Sequence, residues 1–90
     1  MEKYLHMGFD KYQLNEIKLG LDSGVDVDIY AKRNFNSSQM SEIRKGLENG
    51  IDVSSYSKAQ LNSIMMRRKR EELERESLNS KDTIKKMNIF

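Results

Sequence analysis

The densest run of chemistry-bearing side chains is MMRRKR at residues 65–70. Four successive cations, Arg67, Arg68, Lys69 and Arg70, would make a phosphate-binding helix face, with Lys32, Arg33 and Arg44 as helpers. The chemistry implied is electrostatic capture of a nucleic-acid backbone. A second reading fits the same residues. Glu71, Glu72, Glu74 and Glu76 follow at once. Arg67 with Glu71, Arg68 with Glu72, Arg70 with Glu74, and Glu71 with Arg75 all stand at i, i+4, the spacing of a salt-bridged, solvated helix. Met65, Met66, Leu73 and Leu78 interrupt this polar helix. They read either as a partner contact or as a cover for the end of the core, and Met65 fits the cover better than Leu73 does.

The other reactive groups assemble into no site. Asp22, Asp26 and Asp28 lie in DSGVDVD, which lacks the alternating ligands and central glycine of a calcium loop. His6 is the single histidine, so no multi-histidine metal site or base–nucleophile pair can form. There is no cysteine, hence no disulfide and no thiolate ligand, which suits a reducing cytosol. GLDSG lacks the spacing and lysine of a phosphate-cradling loop. The expectation is a protein that is not an enzyme and takes neither cofactor nor metal.

The elements that position these residues come from a repeat. Residues 4–29 and 30–55 align without a gap, keeping Tyr, Phe, Gln, Glu, Ile, Gly, Leu, Gly, Asp and Val in place. Such self-similarity marks a repeat architecture. Asp10 stands three before Gln13, and Asn36 three before Gln39. This is the capping-box pattern, with Phe9 facing Leu14 and Phe35 facing Met40 as hydrophobic staples. Each helix carries an apolar stripe (Leu14, Ile17 and Leu21; Met40, Ile43 and Leu47) and ends at a glycine, Gly24 or Gly50, suited to the left-handed cap. Gly20 and Gly46 lie inside the helices, where their recurrence suggests the close approach of a neighbouring backbone. Asp26 and Asp52 cap a short second helix or turn. Val27, Tyr30, Val53 and Tyr56 then point to the core, and the stretches ahead of Phe9 and Phe35 are loop.

A partial third copy and charged helix occupy 56–80. Here the loop reads as deleted, with Ser57 and Gln60 as a further capping box and a helix from about residue 58 to 78. Asn79 and Ser80 break that helix. A segment at 81–90 forms a short last helix capped by Asp82, whose Ile84, Met87 and Ile89 dock back on the core. The predicted fold is therefore all-α: one domain, a short solenoid-like stack of two helix–turn–helix repeats, a longer charged third helix and a short C-terminal helix.

Composition sets the outer bounds. Ninety residues hold one core and bury about two-thirds of the unfolded surface. The chain is 37 % hydrophobic and 33 % charged with a net charge of +2, so bulk charge alone does not call for nucleic acid. The N-terminus lacks the apolar run of a signal peptide, and no run approaches the ~20 residues of a membrane span.

The segment from Phe35 to Tyr56, Phe-Asn-x-x-Gln-Met-x-Glu-Ile-Arg-x-Gly-Leu-Glu-x-Gly-Ile-Asp-Val-Ser-x-Tyr, resembles tandem repeats in phage and conjugative-element proteins of low-GC Gram-positive bacteria. The resemblance covers residues 4–64 and carries no reaction. It implies an accessory protein of a mobile element in the bacterial cytoplasm. Such a protein would be a non-enzymatic protein-binding module, of the kind that inhibits a host defence nuclease stoichiometrically (anti-CRISPR type). The alternative is a nucleic-acid-binding protein using the basic run. A third option is a homodimer formed through an antiparallel pairing of the third helix, Arg-rich half against Glu-rich half.

Overall fold

The computed structural model describes the backbone of residues 2–89 and the side chains of residues 2–78. The described residues are all-helical: α1 (Glu2–Leu5), α2 (Lys11–Ser23), α3 (Ser37–Glu48) and α4 (Ser63–Ile89), with 3₁₀ turns at Val27–Ile29 and Val53–Ser55. No described helix is long and apolar enough to cross a membrane. Consecutive helices pack on one another, α2 on α3 and α3 on α4.

Local chemistry explains the helix starts. The Asp10 carboxylate accepts from the Gln13 backbone N–H at 2.8 Å, and the Gln13 side chain accepts from the Asp10 N–H at 2.9 Å. Asn36 and Gln39 repeat the box, both bonds at 2.8 Å. Each box satisfies donors that the helix itself leaves unpaired. The two helices then close on Gly24 (φ 80°) and Gly50 (φ 71°), the left-handed conformation that other residues resist. Asp26 and Asp52 cap the 3₁₀ turns, accepting from Asp28 and Ser54 N–H.

The core is one cluster strung along the repeat: Phe9, Ile17, Val27, Tyr30, Phe35, Met40, Ile43, Val53, Tyr56 and Met66, with Tyr4 and Ala31. Tyr30 and Tyr56 lie wholly inside it. Each phenol donates to a carbonyl of the helix before it, Tyr30 to Glu16 at 2.6 Å and Tyr56 to Glu42 at 2.8 Å. Burial pushes both phenol pKa values well above the ordinary tyrosine range.

This arrangement explains the mid-helix glycines and corrects the expectation about them. The close neighbour is a pair of side chains and not a backbone. A Cβ at Gly20 would overlap the Tyr30 hydroxyl and Val27 Cγ1, and one at Gly46 would overlap the Tyr56 hydroxyl and Val53 Cγ1.

Three further expectations change. The third copy has no deleted loop. After Tyr56 the Lys58 N–H donates to Tyr56 O and the Leu61 N–H to Lys58 O, matching Lys32 to Tyr30 and Phe35 to Lys32 one period earlier. Leu61 therefore stands in the place of Phe35, and Asn62 in that of Asn36. Asn62 accepts from the Met65 N–H at 2.9 Å, so α4 starts at Ser63 and not near residue 58. The capping role expected of Ser57 falls to Asn62, and the Gln half of the box is gone because Met65 occupies its position. Secondly, α4 runs through Asn79 and Ser80 without a break, because their weak helix preference is small beside a continuous hydrogen-bond ladder. Thirdly, Leu5, the first residue of the loop expected at 5–8 ahead of Phe9, belongs instead to the single turn α1. The cap at Asp82 and the docking of Ile84, Met87 and Ile89 lie outside the residues whose side chains are described.

Candidate functional site

The seven candidate cations separate into two classes. Arg44 and Arg70 point inward, between helices. Arg44 Nε donates to Glu16 of α2 at 2.9 Å, and its Nη1 donates to Glu48 at 2.8 Å. Arg70 repeats the arrangement one period on, donating to Glu42 of α3 at 3.1 Å and to Glu74. Their side chains are only 14 % and 13 % exposed. Desolvation works against the charged arginines, yet hydrogen bonds to the flanking carboxylates raise both pKa values, so they stay cationic. Each is a cross-helix clamp. Glu48 reports the same balance: burial acts to raise its pKa, while the bonds from Arg44 and Ser23 bring it below the usual carboxylate range.

Arg67, Arg68, Lys69, Lys32 and Arg33 face outward or lie near the surface. Arg67 approaches Glu71 at 3.8 Å, and Lys69 takes Glu72 at 3.5 Å and i, i+3. The expected Arg68–Glu72 pair is thereby replaced. Among the described residues Arg68, Lys32 and Arg33 have no carboxylate partner. The Arg33 guanidinium lies against Gly8. The structure does not bring the seven together on one face: Arg44 and Arg70 are internal, Arg67 and Lys69 are paired within α4, Arg68 stands on α4 without a described carboxylate partner, and Lys32 and Arg33 lie in the loop between α2 and α3.

Two surfaces emerge that local sequence reading missed. A cavity of about 330 Å³ is lined by Ser55, Leu61, Met65, Arg68, Lys69 and Glu72. The α4 residues among them, Met65, Arg68, Lys69 and Glu72, stand one period after Gln39, Glu42, Ile43 and Gly46, of which Gln39 reaches Ala59 and Leu61, Glu42 takes Arg70 and Gly46 faces Val53 and Tyr56. Met65 is 49 % exposed, and it is Met66, wholly buried, that serves the core. Leu73 is half-buried against the core, and Leu78 is exposed. The signal lay in the ungapped register, which the Ser57–Gln60 capping pattern obscured.

The second surface is the outer face of α2. Leu14, Lys18 and Leu21 stand one period before Met40, Arg44 and Leu47, the face by which α3 docks on α2. Leu21 is 39 % exposed and Lys18 is exposed. Near it Tyr4 donates to Asp28 at 2.7 Å. That bond raises the Tyr4 pKa and lowers that of Asp28. Among the described residues no group of three His, Cys, Asp or Glu side chains gathers in a way that could hold a metal ion. His6 is exposed beyond the end of α1.

The chain matches no family model, no curated protein and no solved structure.

Proposed function

We propose that this protein is a non-enzymatic protein-binding module. It is built as a short solenoid-like stack of helical repeats and belongs to a phage or other mobile element of a low-GC Gram-positive bacterium, where it acts on a host protein by stoichiometric binding, for example as an inhibitor of a defence nuclease. The observation that carries this reading over nucleic-acid binding is the disposition of the cations. Arg44 and Arg70 are consumed as internal clamps, and Arg67 and Lys69 are answered by Glu71 and Glu72. A phosphate-binding stripe needs cations whose field is not cancelled at close range. The repeat equivalences in hydrogen bonding support the stack: Gln13 Nε2 donates to Phe35 O at 2.7 Å, and Gln39 Nε2 to Leu61 O at 2.7 Å. Each helix thus holds the loop that leads into the next.

Fluorescence anisotropy of labelled duplex and single-stranded DNA across a salt series tests the choice. The protein-binding reading expects no binding near physiological salt. Tight binding that weakens by orders of magnitude as salt rises would establish the nucleic-acid alternative. Charge reversal should then be confined to Arg67, Arg68 and Lys69, because reversal at Arg70 breaks a clamp and confounds binding with unfolding.

A further inference from the structure

We infer that the face formed by Leu61 and the first turns of α4, with Met65, Arg68 and Lys69, docks an acidic amphipathic helix of a partner protein. This surface and this chemistry deepen the protein-binding reading above and rest on it. Charge complementarity carries the assignment, with two helix pairs inside the fold as its templates. In the first, Arg44 of α3 meets Glu16 of α2 at 2.9 Å, with Met40 four before it and Leu47 three after it on the same helix face. In the second, Arg70 of α4 meets Glu42 of α3 at 3.1 Å, flanked in the same way by Met66 and Leu73. An apolar–cation–apolar triplet thus meets a carboxylate twice.

On α4 the receiving positions recur one period later with their polarity reversed. Arg68 stands where Glu16 and Glu42 stood, and Lys69 where Ile17 and Ile43 stood. Lys69 is answered within α4 by Glu72 at 3.5 Å, whereas Arg68 has no carboxylate partner among the described residues. Beside this cation the surface stays apolar. Leu61 and Met65 line the cavity of about 330 Å³ that Arg68, Lys69 and Glu72 also border. An end of a repeat stack that only met water would carry a polar outer face throughout. Here an unanswered cation borders an apolar recess, the composition of a binding surface.

Charge also decides which helices do not fit. A further repeat of this chain's own type would bring a cation to Arg68, because Arg44 and Arg70 hold the docking position in both existing pairs. A second copy presenting α2 would bring Lys18, the residue at that position there. Glu72 adds a steric obstacle, since it stands where Gly20 and Gly46 leave room for a tyrosine hydroxyl. Two copies meeting through this same face would have to pair Arg68 with Glu72, which Lys69 already holds. The helix that fits is the docking triplet with its charge inverted: an apolar residue, a carboxylate four later, and an apolar residue three after that.

The test uses that triplet as the probe. A fluorescein-labelled, lactam-stapled helical peptide presents Met-x-x-x-Glu-x-x-Leu, and a matched peptide carries Arg in place of Glu. Both are titrated with the full chain and followed by fluorescence anisotropy. The Glu peptide should bind saturably, and the Arg peptide at least ~10-fold more weakly. Arg68→Glu should invert that preference, and Met65→Ser should weaken the Glu peptide. Circular dichroism checks that the variants fold; if Arg68→Glu does not, the two peptides on the unmodified chain decide alone. No binding of the Glu peptide at about 1 mM, equal binding of both peptides, or a preference unchanged by Arg68→Glu in its folded form overturns the proposal. Each of these leaves the protein-binding reading standing, since another face can serve it. A dimer in sedimentation velocity that Arg68→Glu abolishes assigns the face to a second copy and overturns the proposal. Salt-sensitive DNA binding that Arg68→Glu abolishes overturns both the proposal and the protein-binding reading.

Discussion

Gly46→Ala separates tertiary packing from helix propensity, because the two act with opposite sign. In a helix interior alanine is favoured over glycine by about 1 kcal/mol. At Gly46 the added Cβ would overlap the Tyr56 hydroxyl and lie 2.7 Å from Val53 Cγ1. Neither neighbour can retreat cheaply. Tyr56 is wholly buried, and Val53 is β-branched and 4 % exposed. Overpacking of this kind costs about 1–3 kcal/mol. Displacing the phenol also sacrifices its 2.8 Å bond to Glu42 O, a loss of about 0.5–1.5 kcal/mol. The net expectation is a destabilisation of ~1–3 kcal/mol, which for a domain of this size lowers Tm by roughly 5–20 °C. Thermal and urea unfolding followed by circular dichroism read this out. In a Tyr56→Phe background the same substitution should cost less, because the nearest obstacle is gone. Gly50→Ala is the contrasting control: no atom lies within 4 Å of its added Cβ, and its cost of about 1 kcal/mol comes from the left-handed backbone alone. If Gly46→Ala stabilises the protein, propensity has won and the packing account of the repeated glycines is wrong.

Gln39→Ala should cost ~1–3 kcal/mol in urea unfolding, more than an ordinary cap, because the side chain both closes the capping box and donates to Ala59 O and Leu61 O. A double-mutant cycle of Glu42→Gln with Arg70→Gln should give a coupling of about 1–3 kcal/mol, against less than about 0.5 kcal/mol for the exposed Arg67–Glu71 pair. Stability should fall in acid. Glu48, Asp28 and Asp52 have folded pKa values below their ordinary ones, so their contribution is present above the unfolded carboxylate range near pH 4 and is lost as pH drops through the lower folded values. Melting between pH 7 and 2 checks the direction, and Glu48→Gln should flatten the slope. At the alkaline end Tyr30 and Tyr56 have raised pKa values, so stability is intact below about pH 10 and declines as pH rises above it. Absorbance at about 295 nm should show these two phenols ionising only together with unfolding.

Legibility follows the range of each interaction. Capping boxes close within three residues, the 3₁₀ caps within two, and the left-handed glycines act on their own backbone. These features, the helix starts of α2 and α3, and the core tyrosines and valines were therefore readable from residue order. Within the basic run the i, i+4 pairs Arg67–Glu71 and Arg70–Glu74 were readable too, whereas the expected Arg68–Glu72 pair was not, because Lys69 takes Glu72. Folding assigned what depends on one helix lying against another. Arg44 and Arg70 read as surface cations until α2–α3 and α3–α4 packing set Glu16 and Glu42 beside them, 28 positions away along the chain. The start of α4 was misplaced because a local Ser57–Gln60 pattern mimicked a cap, whereas burial of Tyr56 and Met66, with Leu61 packed half-buried beside them, set the register. The mid-helix glycines announced a close approach, and only the packed structure identified a tyrosine hydroxyl and a valine methyl as what approaches. Hydrogen bonds that close within a turn leave their mark in neighbouring letters; contacts between helices are set by packing geometry, which residue order encodes only through the finished fold.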